Sequence, residues 1–300
     1  MPSSTHRPST FDTLVDRHFR HILLLPALVF LLALGTMPVL YNLFVSFQDI
    51  TMLDENKAFA GALNYQRLAS DTRFWEAWGH TFLIAAIALP IQIVLGLGLG
   101  ILFLPEFPAK RVFVALMVLP TVISPIVAGA SWRLMFDHQF GPVNQILGWF
   151  LGEAPVILWT TDPSFVYPAI VILEVWAHTP FVFLLLLAAL AQVDRSLIDA
   201  AQIDGASPWT IFRRVVLPTI RPVLYTVALI RFVDLMRLFD FIYALTQGGP
   251  GTTSETISVY MYVQGFQQFT TSYTGALAFV SIVVTSILIF VLMRRASVAR

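Results

Sequence analysis

The sequence predicts an all-α integral membrane protein with six transmembrane helices. Its 300 residues are 57% hydrophobic and 12% charged, with a mean hydropathy of +0.76, whereas a soluble domain has about 45–50% apolar and about 25% charged residues. The apolar residues gather into six runs of the length, about 20 residues, that crosses a bilayer, and a backbone in hydrocarbon satisfies its own polar groups as a helix. Lys and Arg are divided unequally between alternate connections.

The first run, residues 22–47, and the second, 77–105, contain no Asp, Glu, Lys or Arg. The second carries GLGLG, small residues that let a neighbouring helix come close. Residues 112–132 make the third. The fourth, 165–190, is interrupted by Glu174, the fifth, 222–246, holds a row of charges, and the sixth covers 273–293. Arg17 and Arg20 ahead of an apolar run containing LALG imitate a secretory signal. Signal cores are about 7–15 residues long, and this run is longer, so it is read as a span.

Positive residues concentrate on the cytoplasmic side of membrane proteins. With the N-terminus inside, the inner segments hold twelve Lys and Arg, among them Arg17, Arg20, Lys110, Arg213 and Arg214, and the outer ones hold four, Lys57, Arg67, Arg73 and Arg133. Residues 1–20 and 294–300 are therefore expected as cytoplasmic tails around a six-helix domain, 21–293, in the lipid bilayer. The opening MPSSTHRPST reads as a disordered start. The outer stretches FGPVNQILGWFLGEAP and TQGGPGTTSETISVYMYVQGF mix turn residues with aromatics and are expected to form short interfacial helices.

Between the fourth and fifth runs, residues 194–218 read DRSLIDAAQIDGASPWTIFRRVVLP. Asp194 or Ser196 can cap a first helix, which ends at Gly205, the residue type that tolerates a left-handed conformation. Ser207 caps a second helix with Pro208 at its first position, where the missing N–H costs nothing. Ala200 and Ala201 keep one side low enough for another protein to approach. Leu217-Pro218 is expected to stop the second helix and re-aim the chain, since a residue before proline avoids helical angles.

Asp199-Ala200-Ala201, then Asp204-Gly205-Ala206-Ser207, then Leu217-Pro218 resemble the EAA motif of permease subunits of ATP-binding-cassette (ABC) importers. In that family the motif forms coupling helices that dock on a cytosolic ATPase. Asp199 stands where glutamate is usual, one methylene shorter with the same charge. The segments NYQRLASDTRFWEAWGHTF at 64–82, LPTVISPIVAGASW at 119–132, GPVNQIL at 141–147 and FDFIYALTQGGPG at 239–251 are similar to the larger, MalF-type carbohydrate permease subunit. The likeness covers about residues 20–293 and implies the type I ABC importer permease fold, with residues 194–218 as the coupling segment. It further implies a multi-pass subunit of a bacterial inner membrane that imports a carbohydrate or sugar-like solute by alternating access. The implied partners are a second homologous permease in a heterodimer, two ATP-binding subunits that use ATP and Mg, and a periplasmic solute-binding protein received by Gly248, Gly249, Pro250 and Gly251.

Charged residues within a span cost about 2.5–3.5 kcal/mol at a helix centre, so they face partners or a water-filled cavity. Arg231, Asp234, Arg237 and Asp240 follow one another at spacing three with alternating sign, which permits i,i+3 ion pairs. On one continuous helix the row would drift by about 60° per step, placing Arg231 and Asp240 on roughly opposite faces and leaving some members structural. Glu174, Trp176 and His178 lie at similar depth. These residues, with Trp132 and Tyr243, are the candidate substrate path, because sugars need hydrogen-bonding groups and flat apolar faces. The same residues also fit a salt-bridged packing element, Glu174 a buried pair with Arg231 or Arg237, His178 a hydrogen-bonded core histidine, and the tryptophans interfacial anchors.

The chain has no cysteine and only Lys57 and Lys110 as lysines, so no thiolate site and no P-loop of its own are expected. Neither HExxH nor GxSxG occurs, and no basic block offers a footing for nucleic acid. No catalytic residue, metal or bound cofactor is expected. Three rival readings remain open at this point. One is a proton-coupled secondary transporter using the intramembrane charges, and another is a membrane-embedded enzyme using Glu174 and His178 as acid and base. The third is a permease for an anionic polyol, such as a glycerol phosphoester or sulfonated sugar, drawn to Arg231 and Arg237.

Overall fold

The computed structural model describes residues 10–51 and 58–298, which fall into two compact units. The expected disordered start lies almost wholly outside the described residues, and Thr10 is already helical. The first unit takes Met1–Ala69 and Phe269–Val280. It holds α1 (Thr10–Ser46), a two-stranded antiparallel hairpin of β1 (Gln48–Asp49) and β2 (Ala58–Phe59), α2 (Leu63–Ala69) and the start of α13 (Thr271–Val298). Its apolar α1 side chains, such as Phe30, Leu31 and Leu34, are exposed, as a lipid-facing helix requires. Polar groups tie its parts together: Asn64 Nδ2 donates to the carbonyls of Ser46 and Gln48 at 2.9 Å, and Asn42 Nδ2 to that of Gly275 at 3.1 Å.

The second unit takes Ser70–Gln268 and Ser281–Arg300. It contains α3 (Thr72–Leu102), α4 (Lys110–Val122), α5 (Pro125–Met135), α6 (Pro142–Leu151), α7 (Pro163–Ala191), α8 (Arg195–Ile203), α9 (Pro208–Ile211), α10 (Leu217–Met236), α11 (Asp240–Leu245) and α12 (Ile257–Tyr262). Helix α7 is its centre, with Val166, Leu173, Val182, Phe183 and Leu186 fully buried. The GLGLG run does what its small residues suggest. An added Cβ at Gly96 would sit 2.6 Å from Val182 Cγ1 and one at Gly100 3.0 Å from Leu190 Cδ1, while Gly98 faces open space. Gly96→Val is therefore expected to overpack the α3–α7 contact and cost about 1–3 kcal/mol, read as a lowered melting temperature of the detergent-purified protein. Gly98→Val should leave it unchanged by that mechanism.

Among the described residues, five helices are long and apolar enough to span: Leu24–Ser46, Thr72–Leu102, Pro163–Ala191, Pro208–Met236 and Thr271–Arg294. The expected third span, 112–132, is not one helix. Lys110–Val122 and Pro125–Met135 meet at 96°. Ile123 and Ser124 are extended there, with ψ of 133° and 132°, because Pro125 donates no hydrogen bond and drives its predecessor out of the helical region. Counting this bent pair as a broken span gives the sixth.

The expected fifth span, 222–246, is corrected at both ends. Leu217-Pro218 does not stop the chain: Leu217 is helical (φ −59°, ψ −44°), and one membrane-length segment runs from Pro208 to Met236. A wider π turn at Phe212–Val216 precedes the proline, loosening the backbone where a regular helix would press the proline ring against the carbonyl four residues back. At the other end the helix closes at Met236, and Arg237 and Phe239 leave helical geometry (φ −110°, ψ 15°; φ −124°, ψ −61°) before α11 begins. The Leu238 carbonyl that the break releases accepts from Thr256 Oγ1 at 2.7 Å.

Candidate functional site

That break assembles the site. Because the chain turns between Met236 and Asp240, the charged row does not wind around one helix. Arg231, Asp234, Arg237 and Asp240 all line a single cavity of about 360 Å³, with Glu174 and His178 of α7, Pro125 of α5, and Leu238, Phe239 and Phe241. The expectation that Arg231 and Asp240 face apart is overturned, since it assumed a continuous helix.

At the cavity floor, Arg231 and Glu174 are each 1% exposed and Gln92 of α3 is 0% exposed. The Arg231 guanidinium spends its fork on three partners. Nη2 pairs with Glu174 Oε1, Nη1 with Asp234 Oδ2 at 2.9 Å, and Nε donates to Gln92 Oε1 at 3.1 Å. Gln92 Nε2 in turn donates to the Glu174 carbonyl at 3.1 Å. Two charges are tolerable this deep only because each is paired and hydrogen-bonded. Glu174 pairs with Arg231 and also lines the cavity, so the two alternatives offered for it are not exclusive. Its second oxygen, Oε2, is buried without a protein partner. His178 Nδ1 approaches Glu174 Oε1 at 2.9 Å without the alignment of a hydrogen bond, and its ring, 30% exposed, reaches the cavity.

Of the three possible i,i+3 pairs, Arg231–Asp234 forms. Arg237 and Asp240 make no ion pair among the described residues and present their charges to the space. The wall therefore offers acceptors, donors and the apolar side chains of Phe239 and Phe241. Trp132 and Trp176 pack edge to face, centroids 5.5 Å apart, in the adjoining core and are not walls of the cavity. Tyr243 does not line it either but stacks on Phe239, which does. The sequence reading missed Gln92, although it is the one hydrogen-bonding side chain between Leu83 and Leu102, and that isolation in an apolar run was the available signal.

At its caps and its turn the segment after α7 follows its sequence. Asp194 caps α8, accepting from Ser196 N at 2.9 Å, and the Ser196 amide and hydroxyl hold its carboxyl below the usual aspartate range. Helix α8 ends in a paired closure: Ala206 N donates to Ala201 O and Gly205 N to Gln202 O, with Gly205 at φ +74°, where glycine avoids the penalty of a Cβ. Ser207 Oγ caps α9 from Thr210 N at 3.3 Å. Leu197, Ile203 and Trp209 are exposed around this corner, Ile203 by 86%. Asp199, Ala200, Ala201 and Asp204 lie on or directly after α8.

The stretch with Gly248, Gly249, Pro250 and Gly251 is a fixed loop. Ser254 Oγ donates to Gly249 O at 2.6 Å and meets Thr246 Oγ1 at 2.8 Å, and Tyr167 OH donates to Thr253 O at 2.6 Å. Glu255, 3% exposed, holds Arg73 of α3 through two bonds of 2.7 and 2.8 Å. Such a two-pronged pair fixes orientation as well as distance. Glu255→Ala is expected to raise hydrogen exchange across residues 246–256 by about tenfold or more, while exchange in α7 stays as it was.

A family model described as "Binding-protein-dependent transport system inner membrane component" matches residues 92–300. The chain belongs to this family. This inner-membrane permease is a transport component and not an enzyme. It is 35% identical over 243 residues to the trehalose/maltose transport system permease protein MalF of Thermococcus litoralis, covering 81% of each chain. It is likewise 35% identical over 252 residues to the trehalose transport system permease protein SugA of Mycobacterium tuberculosis (strain CDC 1551 / Oshkosh), covering 84% of this chain and 80% of that one. Among solved structures it superposes on a subunit of a bacterial alginate ABC transporter in complex with its alginate pentasaccharide-bound periplasmic protein. That match has a TM-score of 0.78 and 22% identity, over 93% of this chain and 94% of the other, and it gives the permease the type I ABC importer fold.

Proposed function

We propose that this permease is one of two homologous membrane subunits of an ATP-driven importer, and that its cavity passes a carbohydrate. The observation that carries the reading is the cavity itself. Its volume suits a small solute, and its walls join carboxylates and guanidiniums to the rings of Phe239 and Phe241. A sugar hydroxyl both donates and accepts, and a sugar ring has an apolar face, so this mixture answers both needs. The unpartnered Glu174 Oε2 is an acceptor awaiting a donor. Relatives named for trehalose and maltose support the same class.

Three carboxylates against two guanidiniums leave no cationic surplus in the cavity, which argues against an anionic polyol. A binding-protein-dependent family argues against a proton-coupled secondary transporter.

In this reading both tails are cytoplasmic, by the excess of Lys and Arg on that side. Two ATP-binding subunits, which use ATP and Mg, dock on the corner formed by Asp199, Ala200, Ala201, Asp204, Gly205, Ala206 and Ser207. The exposed Leu197, Ile203 and Trp209 give that contact an apolar surface. Their closure is passed through the unbroken helical path from Pro208 past Leu217 and Pro218 to Met236, which ends at the cavity. A loaded binding protein is received on the loop around Gly248–Gly251.

The test is ATP hydrolysis by the complete importer in nanodiscs. Hydrolysis is expected to rise when the binding protein is added with trehalose or maltose. A response to a glycerol phosphoester in their place would transfer the reading to the anionic class.

A further inference from the structure

We propose that four aromatic rings leading away from the cavity form a second subsite, on which a pyranose ring stacks outside the polar cavity. The proposal rests on the carbohydrate reading above. Two i,i+4 pairs build it. Phe239 and Tyr243 stack at 5.2 Å and 15°, and Tyr262 and Phe266 at 5.4 Å and 27°. The pairs meet at Tyr262, whose ring lies 5.2 Å from Phe239 and 5.0 Å from Tyr243. A π turn at Val263–Gln267 carries Phe266, and such turns recur at functional sites.

Three features favour a sugar as the occupant. The row is continuous with the cavity, because Phe239 belongs to both. It also adjoins the fixed loop along the chain: Tyr243 lies in α11 three residues before Thr246 and Tyr262 closes α12, while Thr256 at the loop's end bonds the carbonyl of Leu238, a wall of the cavity. The third feature is chemical. Phe239, Tyr243 and Tyr262 are half-buried and Phe266 is 65% exposed, so part of each ring stays open beyond the face its stacked neighbour covers, and two of the four rings carry hydroxyls at their edges. A pyranose presents C–H groups on its face and hydroxyls around its rim, which complements a ring with a polar edge.

The experiment uses the complete importer in proteoliposomes, with radiolabelled trehalose and maltose as probes. The Tyr262→Leu/Phe266→Leu double variant keeps apolar bulk but removes two faces. Its kcat/KM for uptake is expected to fall about 5- to 10-fold, with subunits co-purifying as in the wild type, and Tyr262→Phe is expected to stay within about twofold. A diazirine-bearing trehalose should label peptides covering 239–243 and 262–266. Wild-type uptake with unchanged kcat/KM in the double variant, or label confined to the Glu174 and Arg231 peptides, overturns the subsite. Loss of the sister subunit from the double variant also overturns it, since the rings would then be a contact between permeases. No uptake of either sugar by the wild type would instead remove the carbohydrate reading on which the subsite stands.

Discussion

Replacing Arg231 with leucine is expected to destabilise the permease by about 3–5 kcal/mol, the usual cost of removing one partner from a buried ion pair. Leucine fills part of the space but leaves the Glu174 carboxylate, 1% exposed, with no cation, and leaves Gln92 Oε1 without its donor. Uptake should vanish with the loss of folded protein. The Glu174→Gln/Arg231→Leu double variant removes the stranded charge and should recover a large part of that stability, because the two residues share one network. Melting of the detergent-solubilised complex reads both. If Arg231→Leu melted with the wild type, the charge pair would not be buried as described.

Gly205→Trp should separate assembly in the membrane from coupling. Gly205 sits at φ +74° with nothing within 4 Å of an added Cβ, so the local cost is the left-handed conformation, about 1–2 kcal/mol, and not a clash. The protein should reach the membrane in normal amount. An indole projecting from the corner between α8 and α9 should block a close-fitting partner, reducing co-purified ATPase and solute uptake by at least about tenfold. Full retention of both would remove the corner from the coupling path.

The features that were legible from sequence are those set by local chemistry. Spans follow from apolar runs, and the caps at Asp194 and Ser207 and the turn at Gly205 follow from residue type and spacing. The Gly96 and Gly100 approach follows from small residues four apart. The breaks were harder, for two different reasons. Pro125 marks its break, but a hydropathy window sums across it and sees one span. The turn at 237–239 carries no proline or glycine, since the chain there reads RLF. It is held by contacts distant in sequence: Thr256 on the Leu238 carbonyl, and Gly129 of α5, which leaves room for Ala244 of α11. The charged candidates and His178 were therefore readable one at a time, while their convergence on one cavity was not. The opposite error occurred at Leu217-Pro218, where a local rule for proline yielded to a π turn placed just before it.

The central claim is that this permease moves its solute only under the drive of separate ATP-hydrolysing subunits. The direct measurement is uptake of radiolabelled trehalose and maltose into proteoliposomes containing ATP, prepared with the complete importer, without the ATPases, and with this chain alone. Uptake by the complete importer and none in the other two preparations is the predicted result. Uptake by this chain alone, at a rate comparable to the complete importer, would contradict it.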